Sequence, residues 1–242
     1  FDRDSEPIWL LLLLDVSGSM KRRLEEMAAV SRKALEAFGP EDRVSVMFFG
    51  RVTRLAQPFT GDRQDAAAAI GEAPGEKSVG SGTAINAALL DAARAMRDGA
   101  QAGPGRRAIV ILTDNESLNY QVTDEAVLEA LYSADAVLNA IVTPDARPPE
   151  APKRGLTLNP DFTPADVFKL ARETGGEVLK AERAGETFRE MMERIRIRYS
   201  LHYRAPEGTP GTTRRLRVEL SPEAKKRFPR AEVRARTGYR VQ

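Results

Sequence analysis

The chain has no cysteine among its 242 residues. That excludes disulfides, thiolate metal centres and cysteine nucleophiles, and leaves the redox compartment open. It has a single histidine, His202. With no second histidine and no cysteine beside it, His202 reads as structural rather than as a metal ligand. The longest apolar run falls far short of the ~20 residues that a membrane-spanning helix needs, so no membrane insertion is expected. Neither sign of charge dominates, since 37 Lys and Arg face 35 Asp and Glu, a formal net charge of +2. Such a balance predicts no strong affinity for nucleic acid or for anionic membranes. No internal repeat or extended low-complexity tract occurs.

What is present fits a globular protein with a sizeable core, with 42% hydrophobic and 30% charged residues. The length suffices for one large α/β domain, or for one domain with a small appendage. The first residue is Phe1 rather than Met. A processed or excised chain is therefore expected, with a removed signal peptide as one explanation.

The stretch that organises the rest is Ile8–Met20, IWLLLLLDVSGSM. An unbroken apolar run on both faces suits the central strand of a parallel sheet, covered by helices on each side. Asp15, Ser17 and Ser19 then fall just past its carboxyl end, where open α/β sheets place ligands. The three side chains offer only oxygen, which suits Mg²⁺, Mn²⁺ or Ca²⁺ and holds Zn²⁺ or copper poorly. A plainer reading competes with this one. Ser and Asp favour helix N-caps, so the same residues could merely start the next helix.

Along the chain, apolar positions recur at helical spacing from about Lys21 to Phe38, and Gly39-Pro40 ends that helix. Val44–Phe49 reads as the second strand and Arg51–Pro58 as the third. So short a connection implies an antiparallel hairpin, because a parallel return needs a crossover. Asp62–Gly71 is a short helix, Gly71–Gly82 a loop, Thr83–Arg97 a helix and Ala108–Leu112 a strand ending on Thr113 and Asp114. Thr123 caps a helix to about Ser133, and Ala136–Val142 is the next strand. A long Pro-rich segment, Thr143–Thr163, precedes a helix over Asp166–Thr174 stopped by Gly175-Gly176. Glu177–Leu179 reads as a short edge strand. In the last helix, Gly185–Arg198, Phe188, Met191, Met192 and Ile195 form a core stripe.

This rhythm predicts a doubly wound, mostly parallel six-stranded sheet over residues 1–198. From Tyr199 the pattern changes. Tyr199–Arg204, Arg215–Leu220 and Ala231–Val241 alternate apolar with polar, as an antiparallel meander does. We therefore expect residues 199–242 to form a small β extension packed on the main domain. The arginines at 194, 196 and 198, and again at 214, 215 and 217, read as a solvated face rather than a site for an acidic partner.

The Asp15-x-Ser17-x-Ser19 motif resembles the metal-ion-dependent adhesion site of von Willebrand factor A domains. That family adds a threonine before the helix after its third strand and an aspartate after its fourth. Thr83 in GSGTAI and Asp114 in LTDN stand at the matching places. The resemblance implies a metal site of Asp15, Ser17, Ser19, Thr83 and Asp114, with Mg²⁺ foremost and Mn²⁺ or Ca²⁺ as alternatives. Taken singly, Thr83 could be an N-cap and Asp114 a turn former. Where the family commonly has Gly after the second aspartate, this chain has Asn115, a residue that tolerates left-handed backbone.

The resemblance extends to bacterial proteins that carry such a domain with a short β tail, through PEDRVSVMFF, TGGEV, RYSLHY at Arg198–Tyr203 and VRARTGYR. It implies the doubly wound fold with one antiparallel edge strand, and a location outside the cytoplasm. It further implies a non-enzymatic, monomeric module that grips a partner protein presenting an Asp or Glu. Three loops should surround the site: Gly71–Gly82, Asn115–Val122 (with Asn119 and Tyr120 as candidate partner contacts) and Thr143–Thr163. Two alternatives remain. One is a structural module that pairs through its β tail. The other is a Mg²⁺-dependent phosphoryl-transfer enzyme, which usually needs a second carboxylate where Ser17 stands; no Gly-x-x-x-x-Gly-Lys loop occurs.

Overall fold

The computed structural model describes residues 6–100, 103–117, 122–149, 165–201 and 206–241. Strand β1 (Ile8–Asp15) is buried along its whole length. It pairs in parallel with β2 (Arg43–Phe49) on one side and with β4 (Arg106–Thr113) on the other. β3 (Thr53–Thr60) runs antiparallel to β2 at one edge, as the short connection requires. β5 (Ala136–Val142) and β6 (Val178–Lys180) continue the parallel sheet, whose order is β3-β2-β1-β4-β5-β6.

Successive residues of β1 feed opposite cores, which explains its lack of apolar–polar alternation. Leu10, Leu12 and Leu14 pack with α1 (Lys21–Leu35), α2 (Arg63–Glu72) and α6 (Ala184–Arg196). Leu11 and Leu13 pack with α3 (Ile85–Gly99), α4 (Asp124–Ser133) and α5 (Val167–Glu173). Each buried leucine contributes on the order of 2 kcal/mol. Met191 and Met192 lie in the first of these cores, where Met fills gaps between helices.

The helices begin and end for local reasons. Asp62 caps α2 by accepting from Gln64 N, and Thr123 caps α4 by accepting from Ala126 N. Gly175, at φ +80°, follows α5. α1 closes at Leu35, a turn earlier than the apolar spacing predicts.

Beyond α6 the structure is less regular than the alternation predicts. Tyr199–Leu201 forms no strand, and residues 202–205, His202 among them, lie outside the described residues. β7 (Thr213–Arg215) and β8 (Gly238–Arg240) form a two-stranded antiparallel sheet of three residues each. Between them stands a short helix, α7 (Pro222–Arg227), which Ser221 caps by accepting from Ala224 N. Ser-Pro-Glu at 221–223 is a helix-start signal, and it prevails over the alternation on either side.

This tail docks where α4 and α5 end. Tyr132 OH lies 3.2 Å from Glu173 O and 3.3 Å from the Thr237 hydroxyl, and Thr237 N donates to Glu173 O. Arg234 pairs with Glu177, and Arg236 with Asp135. α4 leads directly into the start of β5, and α5 into β6. The tail therefore sits at the amino ends of the parallel strands, opposite the carboxyl ends that carry Asp15 and Asp114. Of the arginines read as a solvated face, Arg215 and Arg217 are exposed, whereas the first group is engaged. Arg194 pairs with Glu177 and Glu190, Arg196 with Asp42, and half-buried Arg198 donates to Gly175 O.

Candidate metal centre

β1 delivers Asp15 at its last position, with the side chain buried. Its Oδ1 accepts from Ser17 N at 3.0 Å, and its Oδ2 accepts from the Thr113 hydroxyl at 2.9 Å. Burial raises the carboxyl to about 6, while the bonds from Ser17 and Thr113 pull it down and the nearby Asp114 charge pushes it up. A carboxylate with four lone-pair directions keeps acceptor capacity beyond those two bonds.

The chain next makes a 3-10 turn, Gly18–Met20, before α1. Ser17 Oγ and Ser19 Oγ are 3.1 Å apart, and Ser19 Oγ donates to Asp114 Oδ2 at 2.6 Å. Asp15, Ser17, Ser19 and Asp114 thus form one continuous hydrogen-bonded chain across the ends of β1 and β4. The plainer capping role is absent: Ser17 makes no side-chain cap bond, and the N-cap of α1 is Met20. Two hydroxyls spent on neither cap are available for another purpose. Asp114 does play the part of turn former, its Oδ1 accepting from Glu116 N at 3.0 Å.

Thr83 arrives on a separate loop. Ala84 N donates to Gly50 O at 2.9 Å and Val52 N to Val79 O at 3.0 Å, fastening this loop to the β2–β3 turn. Any Cβ at Gly50 would lie 2.6 Å from Gly80 O, so only glycine permits that approach. Thr83 is not the cap of α3, whose N-cap is Ala84. Its carbonyl accepts from Ser117 Oγ at 2.8 Å, which links the Thr83 loop to the turn after Asp114. Among the described residues the Thr83 hydroxyl joins none of the bonds that connect the other four.

Asn115 adopts the left-handed conformation, φ 62°, that a glycine would adopt there. It is buried, its N donates to Thr113 Oγ1 at 3.1 Å, and its Nδ2 donates to Arg147 O at 2.9 Å. Thr113 and Ser117 are the residues that sequence reasoning passed over. Thr113 had a signal, a hydroxyl on the strand beside β1 and next to Asp114. Ser117 had none, because its partners are backbone atoms over thirty residues away. Asn119 and Tyr120, and much of the Thr143–Thr163 loop, lie outside the described residues.

The five candidate residues offer two carboxylates and three hydroxyls. Hard oxygen donors with little negative charge fit an ion such as Mg²⁺, which keeps part of its water shell. Among the described residues no three His, Cys, Asp or Glu side chains converge, so any ligand set here leans on hydroxyls.

Residues 10–116, from β1 to the turn after β4, match the family model described as von Willebrand factor type A domain. Over that span the chain is similar to a von Willebrand factor type A domain. All five candidate residues lie within the matched span. Solved structures with the same fold include an aerotolerance-related membrane protein from Bacteroides fragilis. That protein is 21% identical, with 78% of this chain and 98% of that one covered and a TM-score of 0.57. BatB from Bacteroides thetaiotaomicron is 18% identical, with 78% and 97% covered and a TM-score of 0.58. A von Willebrand factor type A protein from Catenulispora acidiphila is 22% identical, with 78% and 42% covered and a TM-score of 0.56. At such identities the likeness is one of fold. No curated protein sequence matches the chain. Von Willebrand factor A domains are generally protein-interaction modules, which directs attention to the loop face around Asp15.

Proposed function

We propose that this chain is a von Willebrand factor A-type, non-enzymatic binding module that grips a partner protein through a divalent cation. Mg²⁺ is the favoured ion, with Mn²⁺ or Ca²⁺ as alternatives. The observation that carries the reading is the bonded chain Asp15–Ser17–Ser19–Asp114, whose serine hydroxyls cap no helix.

In this reading Ser17, Ser19 and Thr83 hold the ion through neutral hydroxyls. Asp15 orients the motif from below, fixed by Ser17 N and Thr113. Asp114, which accepts from Ser19 Oγ, would help hold the ion directly or through water. With few direct carboxylates among these donors, an ion held here would supply an electrophilic position suited to an Asp or Glu oxygen of the partner. Ser17 occupies the place where a phosphoryl-transfer enzyme would need its second carboxylate, which favours binding over catalysis.

We place this activity outside the cytoplasm, a reading supported by the shared fold with the aerotolerance-related membrane protein. No helix among the described residues is long and apolar enough to cross a membrane. Titration calorimetry with Mg²⁺ tests the site. The expected result is one ion bound per chain and none by Asp15→Ala. Equal binding by both proteins contradicts the assignment, and Mg²⁺- and Asp15-dependent turnover of a phosphomonoester would replace the binding module with an enzyme.

A further inference from the structure

Two side chains beyond the five donors tie the three loops of the site together. Ser117 Oγ donates to Thr83 O at 2.8 Å and accepts from Ile85 N at 3.1 Å. The first bond fixes the backbone of the residue that carries the third hydroxyl. The second satisfies an N–H of the first turn of α3, whose own N-cap Ala84 makes no side-chain bond. Ser117 therefore caps α3 from another loop.

Asn115 reaches the opposite way. Its Nδ2 donates to Arg147 O at 2.9 Å, and its Oδ1 lies 3.5 Å from Val167 N, at the start of α5. Asp114, the donor between β4 and these two residues, thus belongs to a turn latched on both sides. One latch holds the Thr83 loop and α3, and the other holds the loop after β5 and α5. A glycine after Asp114 could take the backbone conformation but could form neither amide bond.

We infer that Asn115 and Ser117 are positioning residues of the metal centre. They set the separation of Thr83 and Asp114 by making the three loops one unit. The departure from glycine at 115 is then a gain in rigidity rather than a weakened site. This inference rests on the proposed metal-binding reading, and its chemistry is that of outer partners, whose loss commonly costs metal sites about 10–100-fold in affinity.

The test uses the full chain and Mn²⁺ or Mg²⁺ titration of Asn115→Gly, Ser117→Ala, Ser117→Thr and Asp15→Ala beside the parent. Asn115→Gly keeps the left-handed backbone and removes only the amide, so a loss cannot be charged to strain. Expected are roughly tenfold weaker binding by Asn115→Gly and by Ser117→Ala, and rescue by Ser117→Thr, which keeps the hydroxyl. Amide hydrogen exchange on the metal-free proteins reads the latches themselves. Ile85 should exchange faster in Ser117→Ala, and its rate should stay unchanged in Asn115→Gly. If the parent binds metal through Asp15 while Asn115→Gly and Ser117→Ala bind as tightly, the positioning role is overturned and the metal site stands. If the parent binds no metal, both fall, whatever Ile85 does. A loss of melting temperature equal in all variants without selective loss of affinity would mark a structural role only, and would also overturn the inference.

Discussion

Under the proposed metal-binding reading, Asp15 carries two opposed demands. Burial favours its neutral form, whereas a bound cation requires the carboxylate. Its folded value of about 6 lies above the ordinary 3.8. The sign follows from linkage. With no metal, the neutral group's contribution to stability is full below about 4 and is lost as pH rises through about 6. Metal binding goes the other way, since the ion displaces the proton. We predict that Mg²⁺ affinity, followed by calorimetry, holds above pH 7 and drops about tenfold per pH unit well below 6, as one displaced proton dictates. A flat profile down to pH 5 would remove Asp15 from the site. The same conflict predicts that Asp15→Asn melts higher than the parent at neutral pH in EDTA yet binds no Mg²⁺, because the substitution removes a buried charge. Both effects belong to one side chain, so a melting curve and a titration on the same sample decide them.

Strands and helices are where the sequence was most legible. β1, β2, α4 and β5 declare themselves through apolar runs, helical spacing and the Thr123 cap. These are local signals that the tertiary structure reinforces. Two kinds of feature were not legible. Ser117 acts only through partners far along the chain, and Thr113, whose hydroxyl beside Asp114 was visible, bonds to Asp15 across 98 residues, so no window of sequence contains either interaction. In the tail, the alternation of Arg215–Leu220 persists in the sequence, but β8 offers a partner only as far as Gly238–Arg240, and unpaired alternation makes no strand. The junction of loop and hairpin at Gly50 gives a prediction at this scale. Gly50→Ala places its methyl against Gly80 O, so the Thr83 loop must shift. We expect a loss of about 1–3 kcal/mol by urea unfolding, as for other overpacked sites, together with weaker Mg²⁺ binding. Thr123→Ala is the matched control. Loss of the α4 cap should cost about 1 kcal/mol and leave metal affinity alone, and an equal fall in affinity would show that stability, not loop position, governs the site.

Across the whole molecule, the candidate centre and the tail occupy opposite ends of the sheet. The tail is held by Tyr132, Glu173 and Thr237 and by the pairs Arg234–Glu177 and Arg236–Asp135. Partly exposed pairs of this kind each contribute about 0–1 kcal/mol, so their loss should loosen the tail without unfolding the sheet. We predict that Arg234→Ala combined with Arg236→Ala speeds chymotrypsin cleavage at Phe228 and Tyr239 while Mg²⁺ affinity is unchanged. Altered affinity would show that the two ends communicate. Among the described residues, the tail lies at the end of the sheet away from Asp15. A module that paired through its tail would bind its partner regardless of metal, which separates the two accounts in one measurement. The full chain is immobilised and used to capture proteins from native cell-envelope extract in Mg²⁺, in EDTA, and as Asp15→Ala in Mg²⁺. The account predicts a partner retained by the parent in Mg²⁺ and lost in the other two conditions. Retention of the same partner in EDTA and by Asp15→Ala would contradict it.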